Sequence, residues 1–484
     1  MKRVLAVVAA MLSTVLVSGW APGSSGDAPL HGSRTWVTDA QGRVVILHGL
    51  NQVYKVAPYT PSADGFGADD AAFLQRNGFD VVRVGVIWAA VEPHPGHYNR
   101  SYLNSIAGTV RTLAQHGIYS LLDFHQDLYN EKFQGEGAPA WAVQDGGRPN
   151  PALGFPGNYF ANPAENASWD AFWNNAPGPD SVGLQVHYAR AWAQVARRFA
   201  ANQHVLGYEL LNEPWPGTGW HPCITPTVGC PLFDQQLTAF YQRVATAIRH
   251  HDRKHTVWIE PNVVSAEADA NNVATVHDPH LGWAFHDYCP TEDELQQSLL
   301  CPQLDEQTVR KALQYGTDHS VPTLMTEFGA TQDQSDLTEM VAKADQHMFG
   351  WTEWAYTGND KTSTSPDGQA LVLDPAKPPR GANVERAKLT ALAEVYPKVV
   401  AGTPVSYSFT NGVFHLTYRT TRVSGSGRFA AGTASMVAVP HIQFPHGYRV
   451  RASGARVTSR RDATTVRLTS RPGARVIRVT IRAR

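Results

Sequence analysis

The chain of 484 residues is too long for a single small domain and fits two. Hydrophobic residues make up 43% of it and charged residues 17%, the composition of a globular protein, and the formal net charge of −1 excludes a chain that is basic or acidic throughout. The charge is nevertheless divided unevenly. Residues 401–484 hold 14 arginines, no lysine and one acidic residue, a charge of +13, so the remainder carries −14. Such a split indicates two regions with separate roles.

The N-terminus is typical of a secretory signal peptide. Lys2 and Arg3 precede an apolar run at residues 4–17, and small residues follow that run. The run is short for a membrane-spanning helix, and no later stretch of the sequence is long and apolar enough for one. We therefore assign residues 1–27 to a signal peptide with a short linker and expect the protein to be secreted.

Most of the chain alternates between strand-like apolar runs and amphipathic, helix-like stretches. The runs are apolar on both faces, as is typical of buried parallel strands. Eight such runs with helices between them predict a TIM barrel over residues 28–400, and active sites in this fold lie at the C-terminal ends of the strands. The expected strands are residues 44–50, 80–88, 118–124, 206–211, 256–260, 282–285, 322–327 and 348–354, and the expected helices are residues 70–77, 102–116, 182–199, 233–251, 306–319, 336–347 and a closing helix at 384–396.

Two segments depart from this alternation. Residues 134–180 are rich in Pro, Gly, Asn and Trp, and a segment of this length on the catalytic side of a barrel is expected to be a functional loop. Residues 401–484 are rich in Val, Thr, Ser, Gly and Arg with short alternating runs, which predicts a small antiparallel β-sandwich. Its expected strands are residues 405–407, 413–418, 435–439, 449–457, 465–468 and 476–481.

The four cysteines form two local pairs. In a secreted chain the simplest pairing is two disulfides, Cys223–Cys230 and Cys289–Cys301, although four cysteines allow three connectivities. A zinc site is the alternative, but none of the spacings is Cys-x2-Cys. Each pair follows an expected strand, so the disulfides are expected to fix loops near the active site.

Two glutamates end strand-like runs and supply the groups needed to break a glycosidic bond. Glu213 lies in the phrase Leu-Leu-Asn-Glu-Pro and Glu327 in the phrase Thr-Glu-Phe-Gly, each where an apolar run meets a turn. In a glycosidase one carboxyl group donates a proton while the other attacks the sugar. A single glutamate in such a run is usually a structural hydrogen-bonding group, whereas two in the same context point to catalysis.

Other polar residues lie on or after the remaining expected strands. Arg83 lies inside an apolar strand, where a charge is costly unless it is paired, so we expect a carboxylate of the same barrel beside it. The further candidates are His125 and Asp127 after the third strand, Asn212 beside Glu213, His286 and Tyr288 after the sixth strand, and Trp354 at the end of the eighth.

This ordered set of residues resembles glycoside hydrolase family 5, whose members are retaining enzymes built on TIM barrels, over residues 30–398. The resemblance implies that Glu213 is the acid/base and Glu327 the nucleophile, and that no metal or organic cofactor is required. The supporting roles it implies are a bond from Asn212 to the sugar 2-hydroxyl, ionisation of Glu327 by Arg83 and Tyr288, orientation of the acid/base by His286, and a floor for the first sugar subsite from Trp354.

Within that family the sequence is similar to the endoglycoceramidases, more so than to cellulases or mannanases. The similarity lies in residues 124–141 (Phe-His-Gln-Asp-Leu-Tyr-Asn-Glu-Lys-Phe-Gln-Gly-Glu-Gly-Ala-Pro-Ala-Trp), in residues 207–216 and in the appended β-sandwich. These enzymes cut the bond between a glycan and ceramide. The resemblance implies that Lys55 and Asp127 contact the first sugar, and the alternative for Lys55 is an exposed loop charge.

Two further features agree with a lipid substrate, and each has a plainer alternative. The aromatic residues of the long loop form either an apolar wall for acyl chains or a core that packs on itself. The basic sandwich either contacts an anionic membrane or micelle surface, or is a solvated arginine-rich surface. No nucleic-acid partner is expected, because the arginines are not interleaved with aromatic residues. The loop aromatics are Trp141, Phe155, Tyr159, Phe160, Trp169, Phe172 and Trp173.

The leading prediction is therefore a secreted, retaining endo-β-glycosidase acting on glycosphingolipids whose ceramide carries glucose or galactose. The alternatives are a hydrolase of soluble β-glucan or mannan, and an exo-type glucosylceramidase whose site is blocked beyond the first sugar. A non-catalytic glycan- or lipid-binding protein is the least favoured, because both expected catalytic glutamates are present.

Overall fold

The computed structural model describes residues 29–224, 228–266, 271–289, 301–358, 360, 362, 365 and 368–484, so the predicted signal peptide lies outside the described residues. Eight parallel strands close into a barrel when the last strand pairs with the first, which confirms the expected TIM barrel. Three short strands precede it: β1 (His31–Ser33), β2 (Trp36–Thr38) and β3 (Val44–Val45). The barrel strands are β4 (His48–Gln52), β5 (Val81–Val86), β6 (Tyr119–Phe124), β7 (Val205–Glu209), β8 (Thr256–Ile259), β9 (Leu281–Asp287), β10 (Thr323–Phe328) and β11 (Gly350–Glu353).

Strand alternation explains why the barrel interior is apolar at one end and charged at the other. Along β5, Val82, Val84 and Val86 pack in the cluster of residues between the strands and the helices. Val81, on the opposite face, belongs to the apolar cluster that fills the lower interior. Because side chains alternate along a strand, Arg83 shares the inward face with Val81, one layer nearer the C-terminal end of the barrel.

Amphipathic helices cover the outside of the barrel. Their apolar faces bury against the strands, as the periodicity predicted. Among the described helices, none has the length and apolarity needed to cross a bilayer. They are α1 (Ala68–Arg76), α2 (Trp88–Val91), α3 (Arg100–Gln115), α4 (Gly157–Ala161), α5 (Pro163–Trp173), α6 (Leu184–Phe199), α7 (Pro231–Arg249), α8 (Cys301–His319), α9 (Gln334–His347) and α10 (Arg386–Leu392).

Two antiparallel sheets share a second hydrophobic core and form the expected C-terminal sandwich. The four-stranded sheet has the order β13-β14-β19-β16, and the seven-stranded sheet has the order β1-β2-β3-β12-β15-β18-β17. The strands are β12 (Tyr396–Val400), β13 (Thr403–Thr410), β14 (Val413–Arg419), β15 (Ala434–Ala438), β16 (Tyr448–Ser453), β17 (Ala455–Val457), β18 (Thr465–Ser470) and β19 (Val476–Ala483).

The structure differs from the expected organisation in three places. Strands β1–β3 and β12 belong to the sandwich, although the expected barrel ran from residue 28 to 400, because β12 pairs with β3. The expected helix at 384–396 covers only Arg386–Leu392, and Tyr396, which is biased toward extended backbone because it precedes Pro397, begins β12. Residues 134–180, expected to form a loop, contain α4 and α5, the second with Asn162 as its N-cap.

Candidate active site

Arg83 is the centre of the charged layer of the barrel and is completely buried. It forms ion pairs with Asp123 at 3.0 Å and with Glu260 at 3.7 Å, and it also pairs with Glu209 and Glu327. The expectation of a carboxylate partner was correct, but the structure supplies four. A buried guanidinium without partners would be strongly destabilising. The four carboxylates supply those partners and thereby hold Arg83 in place.

Glu213 and Glu327 meet at the C-terminal end of the barrel, as their positions predicted. Both are buried, at 8% and 5% exposure. His286, on β9, lies between them, with its Nδ1 at 2.9 Å from Glu213 Oε1 and 3.6 Å from Glu327 Oε2. A carboxylate oxygen of each glutamate lies within 4.8 Å of the other. This upper limit agrees with the ~5–5.5 Å between the carboxyl groups of retaining glycosidases and lies below the ~6.5–9.5 Å that inverting enzymes need to admit a water molecule.

Each oxygen of Glu327 has its own donor. Arg83 Nη1 donates to Oε1, and the Tyr288 hydroxyl donates to Oε2 at 2.9 Å. Burial raises the pKa of Glu327, and the positive charges of His286 and Arg83 oppose that rise. Glu213, His286 and Glu327 are also close enough to share a metal ion. Arg83 and Tyr288 hydrogen-bond the two oxygens of Glu327, whereas His286 hydrogen-bonds Glu213 and lies 3.6 Å from Glu327, so the imidazole is placed to exchange a proton with Glu213.

Lys55, His125, Asp127 and Trp354 form a second group beside the glutamate pair. The Lys55 ammonium is buried rather than exposed, 2.5 Å from Asp127 Oδ2 and 4.4 Å from the centre of the Trp354 ring. The His125 ring stacks on Trp354, with the ring centres 5.3 Å apart, and its Nε2 lies 3.4 Å from Asp127 Oδ2. Burial raises the pKa of Asp127, but Lys55 and His125 lower it overall, so the carboxylate is held as an anion.

Asn212 connects Arg83 to the segment that follows β6. Its Oδ1 accepts from Arg83 Nη2 at 2.8 Å, and its Nδ2 donates to the Gln126 carbonyl at 2.9 Å. The structure therefore brings together all ten of the candidate site residues at one end of the barrel: Lys55, Arg83, His125, Asp127, Asn212, Glu213, His286, Tyr288, Glu327 and Trp354.

Four buried carboxyl groups of the site were not predicted. Asp123, Glu209 and Glu260 surround Arg83, and Glu136 lies 4.0 Å from Lys55. Three of them lie within or directly after apolar strands, in Leu-Leu-Asp-Phe, Gly-Tyr-Glu-Leu and Trp-Ile-Glu-Pro, a context similar to that of Arg83. Glu136 follows no strand and carries no such signal.

The loops beside the site contain both disulfides and an exposed apolar patch. Cys223 is bonded to Cys230 and Cys289 to Cys301, the pairing expected from the spacing. In the aromatic loop Tyr159, Trp169, Phe172 and Trp173 pack as a core, so the self-packing alternative holds for these four. The patch is defined as the six exposed apolar residues of these loops, Leu153, Phe155, Phe160, Ile224, Val228 and Leu232.

Comparison with known proteins agrees with this geometry. The family model for cellulase (glycosyl hydrolase family 5) matches residues 38–360, and the model for the glycoside hydrolase family 5 C-terminal domain matches residues 395–481, where the sandwich strand β12 begins.

Two similar proteins and one similar solved structure are named as endoglycoceramidases. Endoglycoceramidase I of Rhodococcus hoagii (strain 103S) is 32% identical over 455 residues, which are 90% of this chain and 85% of the relative. The endoglycoceramidase of Cyanea nozakii is 27% identical, with 77% of each chain covered. Endo-glycoceramidase II from Rhodococcus sp., solved as a ganglioside GM3 complex, has a TM-score of 0.75 at 26% identity and covers 93% of this chain and 99% of that one. The chain belongs to glycoside hydrolase family 5.

Proposed function

We propose that the protein is a secreted, retaining endo-β-glycosidase that cleaves the bond between the oligosaccharide and the ceramide of glycosphingolipids. The observation that carries the catalytic part is the glutamate pair, with carboxylate oxygens within 4.8 Å and His286 between them. The names of the relatives, endoglycoceramidase I and endoglycoceramidase, support the substrate.

The reaction is a double displacement at the anomeric carbon of the sugar attached to ceramide. A carboxylate oxygen of Glu327 forms a bond to that carbon while the bond to the ceramide oxygen breaks and Glu213 donates its proton to the departing oxygen. Glu213 then removes a proton from water, the hydroxide oxygen bonds to the same carbon, and Glu327 leaves as a carboxylate. Free ceramide and an intact glycan are the products, and the anomeric configuration is retained.

The second group of the site would hold the sugar at the reacting position. Trp354, with the Lys55 ammonium over its ring, would floor this subsite, and Lys55 and the Asp127 carboxylate would offer a donor and an acceptor for sugar hydroxyls. Asn212 lies within the same hydrogen-bonded network, beside Glu213. In this role, these four residues fix the first sugar so that its anomeric carbon faces Glu327.

The exposed apolar patch supports a lipid on the other side of the broken bond. The Phe160 ring packs against two tryptophans, with ring centres 5.1 Å from Trp220 and 5.2 Å from Trp215. Trp215 lies two residues after Glu213 along the chain. Leu232 is 82% exposed next to the disulfide-linked Cys230. Leaving such apolar groups in water is unfavourable, and acyl chains would cover them.

The sandwich contributes a cationic surface that would face an anionic membrane or micelle. Arg449 on β16 lies directly opposite Arg482 on β19, and both are exposed. Like charges across a strand pair repel, and an anionic lipid surface would relieve that repulsion. Binding to anionic vesicles that weakens with salt and in the variant Arg482→Ser supports this contact, and equal binding to neutral vesicles contradicts it.

Product analysis tests the function directly. The purified protein is incubated with detergent-dispersed glycosphingolipids of glucose-linked and galactose-linked type and with a soluble β-glucan, and the products are identified by mass. The expected products are an intact oligosaccharide and free ceramide. Cleavage of the glucan alone assigns the protein to the polysaccharide hydrolases, release of single sugars makes it an exo-type glucosylceramidase, and no cleavage leaves a binding protein.

A comparison of a lipid substrate with a soluble one tests whether the patch contacts the lipid. Leu232→Ser is expected to lower kcat/KM for a glycosphingolipid while leaving that for a soluble aryl glycoside of the same glycan unchanged. Val457→Ser, which also removes an exposed apolar side chain but from β17, on the seven-stranded sheet that does not carry Arg449 and Arg482, serves as the control. An equal effect of Leu232→Ser on both substrates would contradict contact between the patch and the lipid.

A further inference from the structure

Glu260 contacts the acid/base at two points, although it lies one strand away. It follows β8 directly and is 2% exposed. Its Oε2 accepts the backbone N–H of Glu213 at 3.2 Å. The same Oε2 lies 3.6 Å from His286 Nε2, and the other nitrogen of that ring lies 2.9 Å from Glu213 Oε1. One carboxyl group therefore faces both the backbone of the acid/base and the imidazole that touches its side chain.

The backbone of Glu213 needs such support. Its φ angle is +45°, in the left-handed region that residues with long side chains rarely adopt. Strained backbone of this kind persists at functional sites only when the surroundings hold it in place. Here the N–H is bound by Glu260 and the carbonyl accepts from Gln126 Nε2 at 3.1 Å, so the residue is held on both sides.

We propose that Glu260 is a positioning residue for the acid/base: it fixes the backbone and the imidazole that aim the Glu213 carboxyl group at the glycosidic oxygen. The inference rests on the proposed function, because it takes Glu213 as the proton donor. It assigns to Glu260 no direct contact with the substrate.

The surroundings of Glu260 decide which substitute can replace it. The charged groups that face it are Arg83 on β5, Asp123 on β6, Glu209 on β7 and His286 on β9. Burial and the Glu209 carboxylate raise the pKa of Glu260 well above its ordinary value, and the two groups share a hydrogen bond. A glutamine, which keeps the shape with one acceptor and one donor, can make the same contacts.

The experiment compares two substrates that carry the same glycan on different leaving groups. A glycosphingolipid has a poor alcohol leaving group that needs protonation by Glu213, whereas a dinitrophenyl glycoside departs without it. For kcat/KM, which reports the first displacement, Glu260→Ala is expected to lose about 10- to 100-fold on the glycolipid, because general acid catalysis is worth about 10²–10⁴-fold. On the aryl glycoside the same variant should stay within about threefold of wild type, and Glu260→Gln should do so on both substrates.

The controls separate positioning from general damage. Glu394→Ala removes another buried carboxyl group, at the opposite end of the barrel, and is expected to lower the unfolding temperature without changing either kcat/KM. If Glu260→Ala does not fold, Glu260→Asp replaces it, since its shorter side chain withdraws the oxygen from the Glu213 N–H and should cause the same selective loss.

Three outcomes overturn the inference: an equal loss on both substrates, no loss on the glycolipid, or a loss in Glu260→Gln as large as in Glu260→Ala. Each of these leaves the proposed function intact, provided that the wild-type protein cleaves the glycolipid. Wild-type protein that cleaves neither substrate overturns the proposed function, and the positioning role with it.

Discussion

The hydrogen bond from Tyr288 to Glu327 offers a quantitative test of the proposed nucleophile. The variant Tyr288→Phe removes the hydroxyl that lies 2.9 Å from Oε2 and leaves Arg83 on Oε1. A hydrogen bond to a charged group is worth about 1.5–3 kcal/mol, and one pKa unit corresponds to about 1.4 kcal/mol. If most of that energy favours the anion, the variant raises the pKa of Glu327 by about 1–2 units.

The assay is the pH dependence of kcat/KM on a glycosphingolipid. Attack requires the carboxylate, so activity falls as the pH drops through the pKa of Glu327, and a higher pKa moves this acid limb to higher pH. We expect Tyr288→Phe to move the limb upward by about 1–2 pH units. Tyr315→Phe, whose hydroxyl donates to the Ala274 carbonyl at 3.3 Å, is the control and should leave it in place. An unmoved or lowered acid limb in Tyr288→Phe would refute the reasoning.

Two further predictions follow from the carboxyl groups. Glu213→Gln and Glu327→Gln should each abolish most glycolipid turnover without unfolding the protein, and full activity in either would remove the proposed mechanism. At the other end of the barrel, burial raises the pKa of Asp345 from 3.8 to about 7. The folded state then keeps a proton that the unfolded state loses, so this group costs stability as the pH rises from about 4 to about 7. Asp345→Asn should reduce the decrease in unfolding temperature between about pH 4 and about pH 7, and an unchanged decrease would contradict the assignment.

The barrel was predictable because each of its strands overlaps a mostly apolar run of the sequence. All eight expected runs overlap the observed barrel strands, and the six expected runs of the sandwich overlap its strands as well. The run at 44–50 shows what periodicity misses. Val44 and Val45 pair in the sandwich while His48–Gln52 enters the barrel, and no change in composition marks the crossing. Strands β1 and β2 have only three residues each, too few to give an alternating pattern.

The site was predictable as far as residues at strand ends were concerned. Arg83 was predicted because it lies inside an apolar run, and Glu213 and Glu327 because each ends one at a turn, and the structure places the three together. The role of Glu260 could not be predicted from the sequence. Its contacts to the Glu213 N–H and to His286 arise only when three neighbouring strands take their register in the barrel.

The most direct test of the central claim is to trap the covalent intermediate on the proposed nucleophile. A 2-deoxy-2-fluoro glycosyl fluoride of the substrate glycan forms the glycosyl-enzyme but slows its hydrolysis, and digestion followed by mass measurement locates the added sugar. We predict one sugar per chain, on the peptide that contains Glu327, and none in Glu327→Gln. A label on another residue, or inactivation without any label, would contradict the account.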